Sequence, residues 1–215
     1  MPIISAMEYI GVFAFAISGA FLAIQYKMDL FGIFILAGTT AVGGGILRDV
    51  VMNVGVPTFF SSYTTIFLIA LAVLAAIIIT VSTRMKRGKL WQAFMQVTDA
   101  IGLAVFAIDT GVKGINSGYN LPQFLFVSLI TAVGGGVIRD LMCQRVPQVL
   151  QKEVYASAAL SGAIFLWIAH PVLGIPVATY LALAVVFGVR MVSVVLNLDL
   201  PTVQARESLG SNEKR

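Results

Sequence analysis

The chain has 215 residues, 59% hydrophobic and only 11% charged, with a formal net charge of +4 and a mean hydropathy of +0.94. A water-soluble domain carries about a quarter charged residues, so the solvent for much of this surface is lipid. The basic balance does not point to nucleic acid, because Lys and Arg lie in short clusters between apolar runs, where a membrane protein keeps its orientation signals. A single cysteine, Cys143, excludes an intrachain disulfide, and a single histidine, His170, leaves no zinc constellation.

Crossing ~30 Å of hydrocarbon takes about 20 mostly apolar residues in a helix. The first such run covers roughly 7–25. It has no basic stretch before it and no convincing cleavage site, so it reads as a retained span rather than a signal peptide. Further spans are predicted at about 31–52, 61–83, 91–112, 121–142, 155–170 and 173–196, the sixth with an alternative start near Val149. Pro57, Pro122, Pro147, Pro171 and Pro176 fall between or at the edges of these runs, as helix boundaries should. Bare backbone is too costly in lipid, and no alternating ten-residue pattern suggests a barrel, so the predicted fold is an all-α integral membrane protein with seven transmembrane helices.

Orientation follows from the basic residues. The segment "RMKRGK" at 84–89 holds four positive charges in six residues, and Lys27, Arg145, Lys152, Arg206, Lys214 and Arg215 lie on the same side. The opposite side has Arg48, Lys113 and His170. The positive-inside rule then places the N-terminus outside and the C-terminus in the cytoplasm.

The chain also repeats itself. "AVGGGILRDV" at 41–50 returns as "AVGGGVIRDL" at 132–141, ninety-one residues later. At the same offset Ile10, Gly11, Phe15, Ala16 and Ile17 match Ile101, Gly102, Phe106, Ala107 and Ile108, and Leu30 matches Leu121. Three spans per copy is an odd number, so the copies have opposite orientations in the membrane. Such inverted repeats form transporters and channels with the pathway at the repeat interface. The predicted organisation is a first three-helix repeat at 1–83, a cytoplasmic basic loop at 84–90, a second repeat at 91–171, a seventh helix at 172–196 and a disordered cytoplasmic tail at 197–215.

Gly43, Gly44 and Gly45 fall in the second span, and Gly134, Gly135 and Gly136 in the fifth. One glycine serves close helix packing. Three together cost about 1 kcal/mol each relative to Ala and invite a kink or break that opens backbone groups to a pathway, the alternative being that the triplets serve close packing alone. Arg48, Asp49, Arg139 and Asp140 follow within the apolar belt or at its edge. Neighbours at i and i+1 diverge on a helix, so the pseudo-twofold relation predicts crossed pairs, Arg48 with Asp140 and Asp49 with Arg139. The alternative is snorkelling from span ends. Asp109 and Lys113, four apart, are expected to pair within their helix. Asp99, matched by Glu8, reads as an N-terminal helix charge. Arg190 is expected to snorkel inward, and Lys152-Glu153 to form a surface pair or a gating or headgroup contact. Ala158 and Gly162 have a helix-packing spacing.

The spans, the inverted triplets and the doubled "AVGGGxxRD" resemble the prokaryotic branch of the trimeric intracellular cation channel family, which also goes under a putative glycine-transporter label. The resemblance covers residues 5–196. It implies a homotrimer in a prokaryotic cell membrane, in contact with lipid, with one pore per protomer passing potassium and sodium. Helices two and five would kink at the glycine triplets around that pore, with Arg48, Asp49, Arg139 and Asp140 as the motif charges. No cofactor is implied beyond the permeant ion and bound lipid. A secondary carrier for a small solute such as glycine is the alternative. No nucleophile–base pair or metal set suggests an enzyme.

Overall fold

The structure is a computed structural model that describes residues 2–82, 88–151, 154–196 and 198. The core of the basic loop, Lys152-Glu153 and the tail apart from Leu198 lie outside the described residues. The helices are α1 (Pro2–Gln25), α2 (Leu30–Val51), α3 (Tyr63–Ser82), α4 (Lys89–Asn116), α5 (Leu121–Met142), the single turn α6 (Gln148–Gln151), α7 (Ala156–Leu173) and α8 (Ile175–Leu196). A 3-10 turn at Thr58–Ser61 joins α2 to α3. Seven of these helices, all but α6, are long and apolar enough to cross a membrane, and no strand occurs among the described residues. Boundaries match those expected to within a few residues. The exceptions are α4, which runs on to Asn116, and α7, which carries Pro171 inside its last turn.

Local chemistry repeats along with the sequence. Asp29 caps α2 by accepting from the Gly32 N–H at 2.7 Å. Ninety-one residues on, Asn120 caps α5 with a reciprocal Gln123 pair. Left-handed backbone recurs at the same offset, at Lys27 and Gly118 and at Asn53 and Gln144. Each repeat thus enters its second helix through a left-handed residue and a side-chain cap, and leaves it through another left-handed residue.

Each half centres its own core, one on α1, α2 and α3 with Trp91 and Phe106 of α4 and Cys143 added, and one on α4, α5, α7 and α8 with Met7 of α1 added. The halves are joined by α1 packing on α4 and α2 on α5. The centre is α1 and α4, whose apolar windows are 72% and 67% buried; α3, α7 and α8 fall to 22%, 28% and 28% and form the periphery. Gly162 lets α7 meet α8 closely, since a Cβ there would collide with Val186, so the predicted small-residue spacing does pack helices.

The α1–α4 contact is antiparallel and symmetric. Phe15 lies over Gly102 and Phe106 over Gly11, and the two rings stack at 5.3 Å. Both phenylalanines are almost completely buried.

Candidate functional site

The glycine triplets do not break their helices. Residues 43–45 and 134–136 are helical throughout, and none has left-handed backbone. Their use lies in proximity, and the three positions differ. A Cβ on Gly44 would run into the Thr131 carbonyl oxygen, and one on Gly135 into that of Thr40. Here α2 and α5 meet backbone to backbone, at a separation that no side chain permits. A Cβ on Gly43 would press on the Ile138 tip at 2.6 Å, and one on Gly134 on the Leu47 tip at 2.7 Å. The third position faces away from the crossing. A Cβ on Gly45 would meet Phe106 only at 3.9 Å and Arg48 at 4.0 Å, whereas on Gly136 it would find the Tyr155 hydroxyl at 3.1 Å.

One helical turn beyond the crossing, on opposite sides of it, lie two buried charge clusters. Arg48 is 1% exposed. Its guanidinium binds Asp49 at 2.7 Å, Glu8 of α1 at 3.1 Å and Asp109 of α4 at 3.2 Å. Lys113 completes this cluster, 3.0 Å from Glu8 and 2.8 Å from Asp109. Arg139, equally buried, binds Asp99 of α4 at 2.5 Å and Asp140 at 3.0 Å and donates to the Ser18 hydroxyl of α1 at 2.7 Å. Arg145 joins Asp140 at 2.6 Å. The clusters obey the repeat: Glu8 and Asp99 are equivalent, and so are Asp109 and Ser18.

The crossed pairs predicted from the sequence are therefore absent. The reason is depth. Arg48 lies four residues beyond Gly44 and Asp140 five beyond Gly135, in opposite directions from the α2–α5 crossing, which separates them by about 14 Å along the helix axes at 1.5 Å per residue. The i, i+1 neighbours also meet, contrary to expectation. Arg48 folds back through Nε to reach Asp49 at 2.8 Å, because at a helix end both side chains can turn into one buried site. Snorkelling is also excluded at these positions, since all four motif charges are buried. Asp99 is an ion-pair partner rather than a simple helix-terminus charge, while Asp109 and Lys113 pair as expected.

Each motif aspartate has a second task. Asp49 accepts from the Thr58 backbone N–H at 2.8 Å and from its hydroxyl at 2.9 Å. Asp140 accepts from the Gln148 N–H at 2.8 Å. Both carboxylates thus pin the short helical turn that follows their helix. Thr58, Ser18 and Gln148 are not among the residues the sequence points to, and Arg145 enters there only as an orientation charge. Only Ser18 carried a signal, through its match to Asp109.

Arg190 does not snorkel. It is 2% exposed, lies 4.9 Å over the Tyr155 ring, and its Nε and Nη2 have no hydrogen-bond partner. Tyr155 is in electrostatic contact with Asp99, Arg139 and Arg190.

Each cluster borders a cavity. At the Arg48 end a space of about 130 Å³ is lined by Glu8, Tyr9, Gly45, Thr58, Ser62, Thr65 and Phe106, among others. At the Arg139 end a space of about 20 Å³ is lined by Ser18, Gln96, Asp99, Arg139 and Gln148, with Met95. Between them stand the Phe15–Phe106 stack and the glycine crossing. Along α1, Phe15 lies between Glu8 and Ser18, and along α4, Phe106 lies between Asp99 and Asp109. The clusters are ten residues apart on each helix, about 15 Å, which is less than the ~30 Å thickness of a hydrocarbon layer.

A family described as glycine transporter matches residues 5–83 and 96–171. The UPF0126 inner membrane protein YadS of Escherichia coli K12 is 33% identical over 208 residues, covering 94% of this chain and 97% of its own. Among solved structures, a prokaryotic TRIC channel superposes with a TM-score of 0.84 at 28% identity, covering 92% of this chain and 98% of the other. A second TRIC cation channel structure, analysed for conductance, gives 0.80 at 33% identity over 95% and 98%. With its fold, its doubled motif and these relatives in agreement, the chain belongs to the prokaryotic trimeric intracellular cation channel family, whose members also carry the glycine-transporter and UPF0126 names.

Proposed function

We propose that the protein is a monovalent cation channel for potassium and sodium, with one pathway inside each protomer of a homotrimer. The observation that carries this reading is the pair of buried charge clusters, each opening on a cavity, at opposite ends of one four-helix core. Ionisable groups at this depth mark ion pathways, because lipid penalises them unless they are paired or face water. The path enters past Glu8 and Thr58, passes Gly45 and leaves past Asp99 and Gln148. The Phe15–Phe106 stack blocks it midway and must shift for an ion to pass. The triplets serve the path indirectly: their absent side chains hold α2 against α5 at its waist, and Gly45 leaves the wider cavity open. The two TRIC channel structures support the same reading. The protein is placed in a prokaryotic cell membrane with its N-terminus outside, so the Arg48 end faces outward.

A second reading is a carrier for glycine. The family description favours it, and so does one feature of the wider cavity: Glu8 with Arg48 and Lys113 beside it offers both signs of charge to a zwitterion. The two readings separate in one pair of assays on purified protein. Unitary currents in KCl across a planar bilayer establish the channel. Saturable, ion-coupled glycine uptake into proteoliposomes without such currents establishes the carrier and sinks the channel.

A further inference from the structure

The two ends of the molecule obey the repeat in geometry but not in charge. At the Arg48 end three carboxylates, Glu8, Asp49 and Asp109, face two cations, Arg48 and Lys113, leaving one negative charge. At the Arg139 end Asp99 and Asp140 balance Arg139 and Arg145. Arg190, held against Tyr155, then adds one positive charge among the described residues. Buried atoms without a hydrogen bond occur at both ends, Asp109 Oδ1 at one and Asp99 Oδ2 with Arg190 Nε and Nη2 at the other, so only the second end holds unpartnered cationic nitrogens. The cavities differ in the same sense, about 130 Å³ beside the negative end and about 20 Å³ beside the positive one.

The substitutions responsible are few. Relative to a perfect repeat, Asp109 is replaced by Ser18, and Lys113 by Leu22; Arg145 corresponds to Val54, and Arg190 lies in α8, outside the repeats. Ser18 and Asp109 both touch the guanidinium of the doubled motif, at 2.7 Å and 3.2 Å. Against this background, one pair of equivalent residues, Ser18 and Asp109, is enough to set or remove the excess charge at each mouth.

We infer that the pathway is electrically polarised and rectifies, with cations entering more readily from the Glu8–Asp109 mouth than from the Arg139–Arg190 mouth. This rests on the channel reading. A mouth lined by one sign of charge between low-dielectric walls concentrates the opposite ion. One unit charge ~6 Å from a passing ion changes its local concentration about threefold in water. The excess is screened by salt: the Debye length falls from about 10 Å at 0.1 M to about 3 Å at 1 M.

The test is patch recording from giant spheroplasts expressing the full chain, where membrane insertion fixes the orientation. In symmetric 0.05 M KCl, current carried by potassium entering at the Arg48 end should exceed the reverse by roughly two- to threefold, and the ratio should approach one in 1 M KCl. The exchange of equivalent residues, Ser18→Asp with Asp109→Ser, brings both mouths to zero by the same count and should abolish the asymmetry at low salt. The wild-type salt series requires no variant to fold. Absence of any unitary current overturns the channel reading and this inference with it. Linear currents at low salt, a ratio unmoved by 1 M KCl, or rectification in the opposite sense overturns the inference alone. A well-assembled exchange variant that keeps its asymmetry also overturns it.

Discussion

Gly44→Ala and Gly45→Ala add the same methyl group one residue apart, yet they should behave as opposites. At Gly45 the new Cβ finds ordinary contacts at 3.9 and 4.0 Å, and helix propensity improves by up to about 1 kcal/mol. At Gly44 the Cβ collides with the Thr131 carbonyl oxygen, its carbonyl carbon is 3.2 Å away, and the obstacle is backbone that cannot rotate aside. Relief requires α2 and α5 to separate. A gap of 0.5–1 Å forfeits roughly a quarter to a half of each contact's dispersion well, and lipid supplies no hydrophobic force to close it. Overpacking of this kind costs about 1–3 kcal/mol and occasionally more. With a rigid obstacle the upper part of that range applies, so the net loss after the propensity gain is about 2 kcal/mol. Gly135→Ala, against Thr40, should match it. The double variant should cost less than the sum, because one separation relieves both clashes. Thermal unfolding of detergent-purified protein, followed by loss of the assembled peak in size-exclusion chromatography, measures the order. A Gly44→Ala protein as stable as wild type, or a Gly45→Ala protein as damaged as Gly44→Ala, would refute the close-approach account.

The charge clusters predict a pattern of couplings. Double-mutant cycles should give Arg48–Asp49 and Arg48–Asp109 interaction energies within about 0.5–3 kcal/mol, whereas Arg48–Asp140 should be additive within about 0.5 kcal/mol; strong Arg48–Asp140 coupling would contradict the observed pairing. Arg139→Ala strands the buried Asp99 carboxylate, while Asp140 keeps Arg145, and should destabilise by about 3–5 kcal/mol, with Asp99→Asn added on top restoring part of the loss in the same unfolding assay. For topology, a cysteine at Lys86 should react with an impermeant maleimide only from the cytoplasmic face. Background from Cys143 should be low, since it is 6% exposed and burial pushes its thiol up, leaving little thiolate at neutral pH. Labelling of Lys86→Cys from outside would reverse the orientation. Native mass measurement in mild detergent should find a trimer, and a species that stops at dimer would count against it.

Much of this protein can be read from its sequence because lipid makes the rules strict. A span must be helical and about 20 residues long, so hydropathy alone locates all seven helices. The ninety-one-residue offset reaches further, down to the caps Asp29 and Asn120 and the left-handed pairs Lys27–Gly118 and Asn53–Gln144, since these are local backbone requirements met by local residues. The motif residues Arg48, Asp49, Arg139 and Asp140 were recognisable as buried and paired, but their partners were not. Partner choice depends on how each helix is rotated and at what depth it crosses its neighbour, and a periodic pattern records neither. Thus Arg48 meets Glu8 and Asp109 instead of Asp140, and three identical glycines in a row divide into one backbone contact, one side-chain contact and one cavity wall. That division follows from the 100° step between successive helical positions, and only the packing of α2 against α5 decides which position faces inward.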